Sequence, residues 1–193
     1  MREVVLQMHT TLDGFADSKD GFVPINDRPY WKALGEAFRH TGASRVDTLL
    51  LGRGTYKQFV GFWPKVATDP DAPKDWKRQA LSLHETPKIV FSKTLAKVDW
   101  NKSTLVRGDV GREIARLKKL RGGNMLIPGG VDFPRSLIER DLVDEYLLSV
   151  VPTIVGQGRH RLFGQLARPL NLNLIRSWAF RNGVVLNQYR RKR

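Results

Sequence analysis

The stretch "NMLIPGGVDFPRSLIERDLVDEYLLSVVPTIV", residues 124–155, decides how the chain folds. A short apolar run, Met125 to Ile127, meets the paired glycines Gly129 and Gly130. Phe133, Leu137 and Ile138 then recur at helical spacing, and a second apolar run fills residues 143–151. The pattern predicts strand, turn, helix and strand. Two residues without side chains at a strand-to-helix turn have two physical explanations. Either the backbone needs positive φ, or something approaches it too closely for a Cβ.

The same alternation extends in both directions. Residues 3–8 (EVVLQM) predict a first strand, followed by a long aperiodic loop over 9–29 that contains Gly14, Gly21, Pro24 and Pro29. Loops of that length in a compact domain are usually functional, so a lid is expected here. Tyr30, Leu34, Ala37 and Phe38 fit one helix face, with Gly42 expected as the C-cap. Residues 46–52 predict a buried strand that runs into a helix at "RGTYKQF". A helix over "PDAPKDWKRQALSLHE" and strands at 87–92 and 103–107 follow. Asp109 is placed to cap a helix whose Val110, Ile114, Leu117 and Leu120 face inward. Two last strands, 170–181 and 183–191, meet at Asn182-Gly183, a strong hairpin signal. Strands alternating with helices imply a mostly parallel sheet covered on both faces, with an antiparallel edge from the hairpin. No repeat or linker divides the chain, so residues 1–193 form a single α/β domain.

Composition narrows the function. The 193 residues contain no Cys, which excludes disulfides, thiolate catalysis and cysteine zinc sites. The four His stand far apart without ligand spacing, so no metal is expected. No apolar run approaches the ~20 residues that a bilayer span requires, and the opening "MREVVLQMHTTLDG" reads as no signal peptide. A cytoplasmic protein without membrane contact is the expectation. The formal charge of +14 attracts polyanions or phosphorylated small molecules. Apart from Arg159–Arg161 and the tail Arg190–Arg193, the basic residues are dispersed as on a solvated enzyme surface.

In open α/β sheets ligands bind beyond the carboxyl ends of the strands. Four such ends carry informative residues: Gly52-Arg53-Gly54-Thr55, Ser92-Lys93, Arg107-Gly108 and Gly129-Gly130. Two glycine-bearing turns into helices offer free backbone N–H groups and positive dipole ends to a pyrophosphate. Arg53, Lys93 and Arg107 are placed to surround a further phosphate. The chain has neither GxGxxG after its first strand nor GxxxxGK[ST], so the Rossmann and P-loop solutions do not apply.

Taken together, "HTTLDGFAD", "LLLGRGTYKQF", "KIVFSK", "MLIPGGVDF" and "VDEYLLSVVPTIVGQGRHRLF" resemble the dihydrofolate reductase-like superfamily. The branch most similar is the reductase domain of riboflavin biosynthesis (RibD C-terminal-like), here as a stand-alone member. The resemblance covers essentially the whole chain. It implies a mixed, mostly parallel sheet of about eight strands, NADPH as cofactor, and a homodimer. Carried over by motif, Gly52, Arg53 and Thr55 would hold the cofactor's phosphates, and Ser92 and Lys93 its 2′-phosphate. Gly129, Gly130, Val131 and Asp132 would line the pyrophosphate and nicotinamide, with a cis peptide between the glycines.

The activity so implied is hydride transfer from NADPH to a small pterin- or pyrimidine-like heterocycle. Thr11, Asp13 and Gly14 match the family's loop turn, which makes Thr11 a substrate contact and Asp13 a candidate catalytic group or a turn cap. Glu36 is the nearest match by spacing to the pterin-binding carboxylate, although its surroundings differ. "HETPKIVF" lacks the arginine that meets the folate tail, which weighs against folate. Arg28, Lys32 and Arg39 are placed to grip a substrate phosphate or to face solvent. Trp31, Phe62 and Trp63 either stack on a heterocycle or belong to the core. The rival functions are a cofactor-binding protein without turnover and a basic nucleic-acid-binding module. No helix-turn-helix, zinc knuckle or aromatic–basic strand motif supports the module, so no specific nucleic acid is expected.

Overall fold

The computed structural model describes residues 1–17, 28–164 and 166–192, with Arg28 described by its backbone alone. Part of the expected lid, residues 18–27 with Gly21 and Pro24, therefore lies outside the described residues, as do the Arg28 side chain and Arg193. The strands are β1 (Val4–Thr11), β2 (Val46–Gly52), β3 (Lys88–Phe91), β4 (Ser103–Val106), β5 (Asn124–Pro128), β6 (Glu145–Val151), β7 (Leu172–Ala179) and β8 (Val185–Arg191). The helices are α1 (Arg28–Phe38), α2 (Arg53–Thr68), α3 (Lys74–Glu85), α4 (Val110–Lys119) and α5 (Asp132–Glu139).

One sheet holds all eight strands in the order β4-β3-β2-β5-β1-β6-β8-β7. The strands from β1 to β6 run parallel, and β8 pairs antiparallel with both β6 and β7. The hairpin forms at Asn182-Gly183 as expected: Gly183 takes φ +81°, and the Asn182 side chain accepts from the Val184 N–H at 3.2 Å.

Period-two alternation sends neighbouring side chains to opposite faces. Val4, Leu6 and Met8 of β1, with Leu50 of β2, pack against Ile114 and Leu117 of α4 and Leu137 and Ile138 of α5. On the opposite face Val5 packs against Tyr30, Leu34 and Ala37 of α1. Leu49 and Leu51 share that opposite face with Tyr56 of α2. Apolar strands and amphipathic helices thus produce a covered sheet with no special pairing signal.

Several local expectations are corrected. Gly42 does not cap α1, which ends at Phe38; it opens a 3-10 turn (Gly42–Arg45) and donates its N–H to the Glu145 carboxylate at 2.8 Å. Leu120 is 45% exposed at the end of α4, whereas Ile114 and Leu117 are buried and Asp109 caps the helix through the Arg112 N–H. Lys88 opens β3 fully buried; its ammonium donates to the carbonyls of His84, Thr86 and Asn101 and stands 4.3 Å from the Trp100 ring centre. It thereby satisfies carbonyls at the end of α3. Among the described residues no peptide bond is cis, so the paired glycines do not make their turn that way. No described helix is long and apolar enough to cross a membrane.

Candidate active site

β5 ends at Pro128, opposite Gln7, while β1 continues through Thr11 paired only with β6. The β5 side of Met8–Thr11 is left without a strand, and a cavity of about 220 Å³ opens there. The β1 residues Gln7–Thr11 line it, with Phe15, Trp31, Phe59, Val151 and the turn after β5. That turn answers the glycine question twice over. Gly129 and Gly130 take φ +103° and +83°, which side chains disfavour. A Cβ on Gly130 would also stand 2.4 Å from Thr55 Oγ1, whereas Gly129 faces open space. The close approach at Gly130 is therefore to the protein's own α2.

A second, larger space of about 630 Å³ lies over the carboxyl ends of β2 and β3, lined by Gly52–Thr55, Phe91 and Gly130–Phe133. Gly52 is required because a Cβ there would lie 2.5 Å from that of Phe133, which stacks on Phe91 with ring centres 5.0 Å apart. Gly52 is the N-cap of α2 and Val131 that of α5, and neither helix start receives a side-chain cap. Their first-turn N–H groups are thus available to an anion. Arg53 borders the groove and donates to Thr94 Oγ1 at 2.9 Å. Cavity and groove meet at Thr55, Gln58 and Gly130.

The far wall of the groove was not foreseen. Asp17, Arg159 and His160 complete its lining. The loop after β1 is laced to the loop after β6: Leu12 donates to Thr153, Ala16 to His160, and the Arg161 guanidinium sits 4.5 Å from the Phe15 ring centre. The Asp17 carboxylate accepts from the His160 backbone N–H at 2.9 Å and lies 2.6 Å from its Nδ1. Burial works to raise the Asp17 pKa, but the His160 bonds outweigh it and hold the carboxyl below its ordinary range.

Inside the cavity, His9 Nδ1 lies 3.2 Å from the Gln7 amide and its Nε2 lies 2.9 Å from the Tyr30 hydroxyl. Burial lowers the His9 pKa to about 4 and raises that of Tyr30 to about 12. Both are neutral near pH 7.

The expected residues divide into two groups. Gly52, Arg53, Thr55, Gly129, Gly130, Val131 and Asp132 come together around the two spaces, and Thr11 and Trp31 line the cavity. Ser92, Lys93 and Arg107 follow strand positions in register with Gly52 but do not line the groove. The Ser92 hydroxyl accepts from the N–H groups of Thr94 and Leu95, and Arg107 donates to the Ala96 carbonyl. Asp13 stands outside both linings. Thr11 donates to it at 2.6 Å, the Gly156 N–H at 2.8 Å and the Val155 N–H at 3.3 Å, and these bonds, Thr11 foremost, hold its carboxyl low. Glu36 is 3.8 Å from Arg39 on the outer side of α1, beside a separate cleft that Lys32 and Trp63 also border. Phe62 is 43% exposed and packs edge-on to Trp63 and Trp76. Among the described residues no three His, Asp or Glu side chains converge to hold a metal ion.

The family model of the RibD C-terminal domain matches residues 2–186. The chain belongs to this family. The uncharacterized protein YyaP of Bacillus subtilis (strain 168) is 31% identical over 186 residues, covering 95% of this chain and 92% of its own. Among solved structures, a putative riboflavin biosynthesis protein from Shewanella sp. PV-4 superposes on this RibD C-terminal domain with a TM-score of 0.71 at 28% identity, covering 99% of each chain. A dihydrofolate reductase from Enterococcus faecalis, solved with NADP(H), matches at TM-score 0.60 and 13% identity over 99% of this chain and 97% of its own. The last comparison shows a shared dihydrofolate reductase-like fold.

Proposed function

We propose that the protein is an NADPH-dependent reductase that transfers hydride to a small pterin- or pyrimidine-like heterocycle. One observation carries this: a groove with two uncapped helix starts and two arginines opens, at Thr55, Gln58 and Gly130, into a cavity walled by Phe15, Trp31 and Phe59. The groove suits a dinucleotide's phosphates, and the cavity suits two stacked rings.

The residues fit the cofactor. First-turn N–H groups of α2 and α5 would meet the pyrophosphate, with Arg53 and Arg159 adding positive charge from opposite walls. Asp132 suits a ribose hydroxyl, because a carboxylate repels phosphate. The junction at Thr55, Gln58 and Gly130 joins the ring's cavity to the phosphates' groove. NADPH supplies the hydride. Phe15, Trp31 and Phe59 exclude water beside the reacting rings, and the neutral His9–Gln7 pair orients the substrate. His9 is too weakly basic to hold a proton at neutral pH.

Thermal melts with NADPH test this. At 100 times its dissociation constant the cofactor stabilises by ~2.7 kcal/mol, a rise of roughly 5–10 °C for a domain of this size. No rise with NADPH would end the proposal, and binding without oxidation by any heterocycle would favour a cofactor sensor. We also propose a homodimer, supported by the edge strand β7 with Leu174 and Ile175 exposed. Light scattering on Ile175→Lys should report a monomer, and an unchanged mass would refute that face.

A further inference from the structure

We propose that a buried water molecule joins Tyr146, Asp141 and Arg191 where the turn between α5 and β6 meets the end of β8. Among the described residues, six buried side-chain polar atoms have no hydrogen-bond partner. Three of the six are Tyr146 Oη, Asp141 Oδ1 and Arg191 Nε. Folded proteins leave few buried polar atoms unsatisfied, because each one gives up its hydration for nothing. Three at one corner of the molecule call for a shared partner.

Strand register brings the three together. Tyr146 faces Tyr189 across the β6–β8 pair, and Arg191, two residues on, lies on the same side of the sheet. The Arg191 backbone N–H donates to the Asp144 carbonyl at 3.1 Å, and its guanidinium donates to Asp141 Oδ2. Arg168 stands 4.0 Å from that same oxygen, so Oδ1 is the one left over. Tyr146 is fully buried in one cluster with Leu137 and Ile138 of α5. Burial foremost, then the charge of Asp141, raises the pKa of its hydroxyl, and Arg191 opposes the rise; the hydroxyl therefore keeps its proton.

This set of groups selects the ligand. An anion would face the Asp141 carboxylate, and a cation the Arg191 guanidinium. Water meets both: it donates to Asp141 Oδ1, accepts from Arg191 Nε–H, and has a lone pair left for the Tyr146 hydroxyl. Waters held inside proteins make about three such bonds. A cleft of about 180 Å³, which Asp141 lines with Leu166, Arg168, Pro169 and Leu170, gives a way in. The water would stitch the last strand of the sheet to the corner that begins β6.

Tyr146→Phe tests the site, because the hydroxyl has no direct bond to lose. Deleting an orphaned hydroxyl from a core would raise the urea midpoint or leave it unchanged. A hydroxyl bonded to water gives the opposite sign, and we expect the midpoint to fall. Asp141→Asn completes a double-mutant cycle, since Asn also tolerates the φ of +58° at this position. The two losses should overlap, so that the double variant falls by less than their sum. Water-to-protein nuclear Overhauser spectra should show a long-lived water beside the Tyr146 ring in the wild type and lose it in Tyr146→Phe. A midpoint that holds or rises, strictly additive losses, or no such water signal would each overturn the proposal.

Discussion

Gly130 and Thr55 touch across the junction of groove and cavity: a Cβ on Gly130 would lie 2.4 Å from Thr55 Oγ1. The contact fixes the turn after β5 to the first turn of α2, so the two uncapped helix starts keep one spacing. A methyl group at Gly130 would strain φ and push these elements apart at once.

Gly130→Ala is therefore expected to cost more stability than Gly129→Ala. The latter pays only for its left-handed backbone, about 1–2 kcal/mol. Urea midpoints check the order, and the Thr55→Ala background should return part of the Gly130→Ala loss, because it removes the colliding oxygen. Equal losses at the two glycines would mean that the Thr55 contact is immaterial.

Arg53 borders the groove, while Arg107 is committed to the Ala96 carbonyl outside it. Arg53→Ala should weaken NADPH at least tenfold, about 1.4 kcal/mol, and Arg107→Ala by much less. Fluorescence titrations with NADPH and NADH on both variants test this. A larger effect at Arg107 would move the 2′-phosphate to the ends of β3 and β4.

His9 ties stability to pH. Its folded pKa of about 4 lies below the ordinary 6.5, so the unfolded chain binds the extra proton between those values. Stability is complete above pH 6.5 and falls as the pH drops toward 4, by at most about 3 kcal/mol. Denaturation at pH 7 and pH 5 should show the decline in the wild type and a smaller one in His9→Gln. Parallel pH dependences would assign it to other groups.

How much the sequence disclosed depended on the range of each interaction. Strand and helix periodicity, the Asn182-Gly183 hairpin and the Asp109 cap are local, and all were legible. So was the glycine turn, although its neighbour Thr55 could not be known before α2 was placed. The Asp17–His160 pair joins positions 143 residues apart through two aperiodic loops, where no pattern announces a contact. Arg159–Arg161 stood out as a basic cluster, but no local pattern tied it to the groove. Gln7 and His9 did leave a signal: polar residues at period two in an otherwise apolar strand mark a face turned to something other than core. Lys88 left none, since its carbonyl acceptors come from the end of α3 and from Asn101 before β4. Ser92 and Arg107 sat at the right strand ends, and only the structure shows them bonded to their own loops.

The lacing of the two loops beyond β1 and β6 has a kinetic consequence. Residues 14–17 and 160–162 cannot swing away from the groove separately, because the Ala16, His160 and Leu162 amides are bonded across the seam. They open together or not at all, so these amides should exchange with deuterium at one shared opening free energy. Asp17→Asn, which weakens the tie at His160, should accelerate all three. Whatever enters or leaves the groove on this side then does so at the breathing rate of a single cooperative unit.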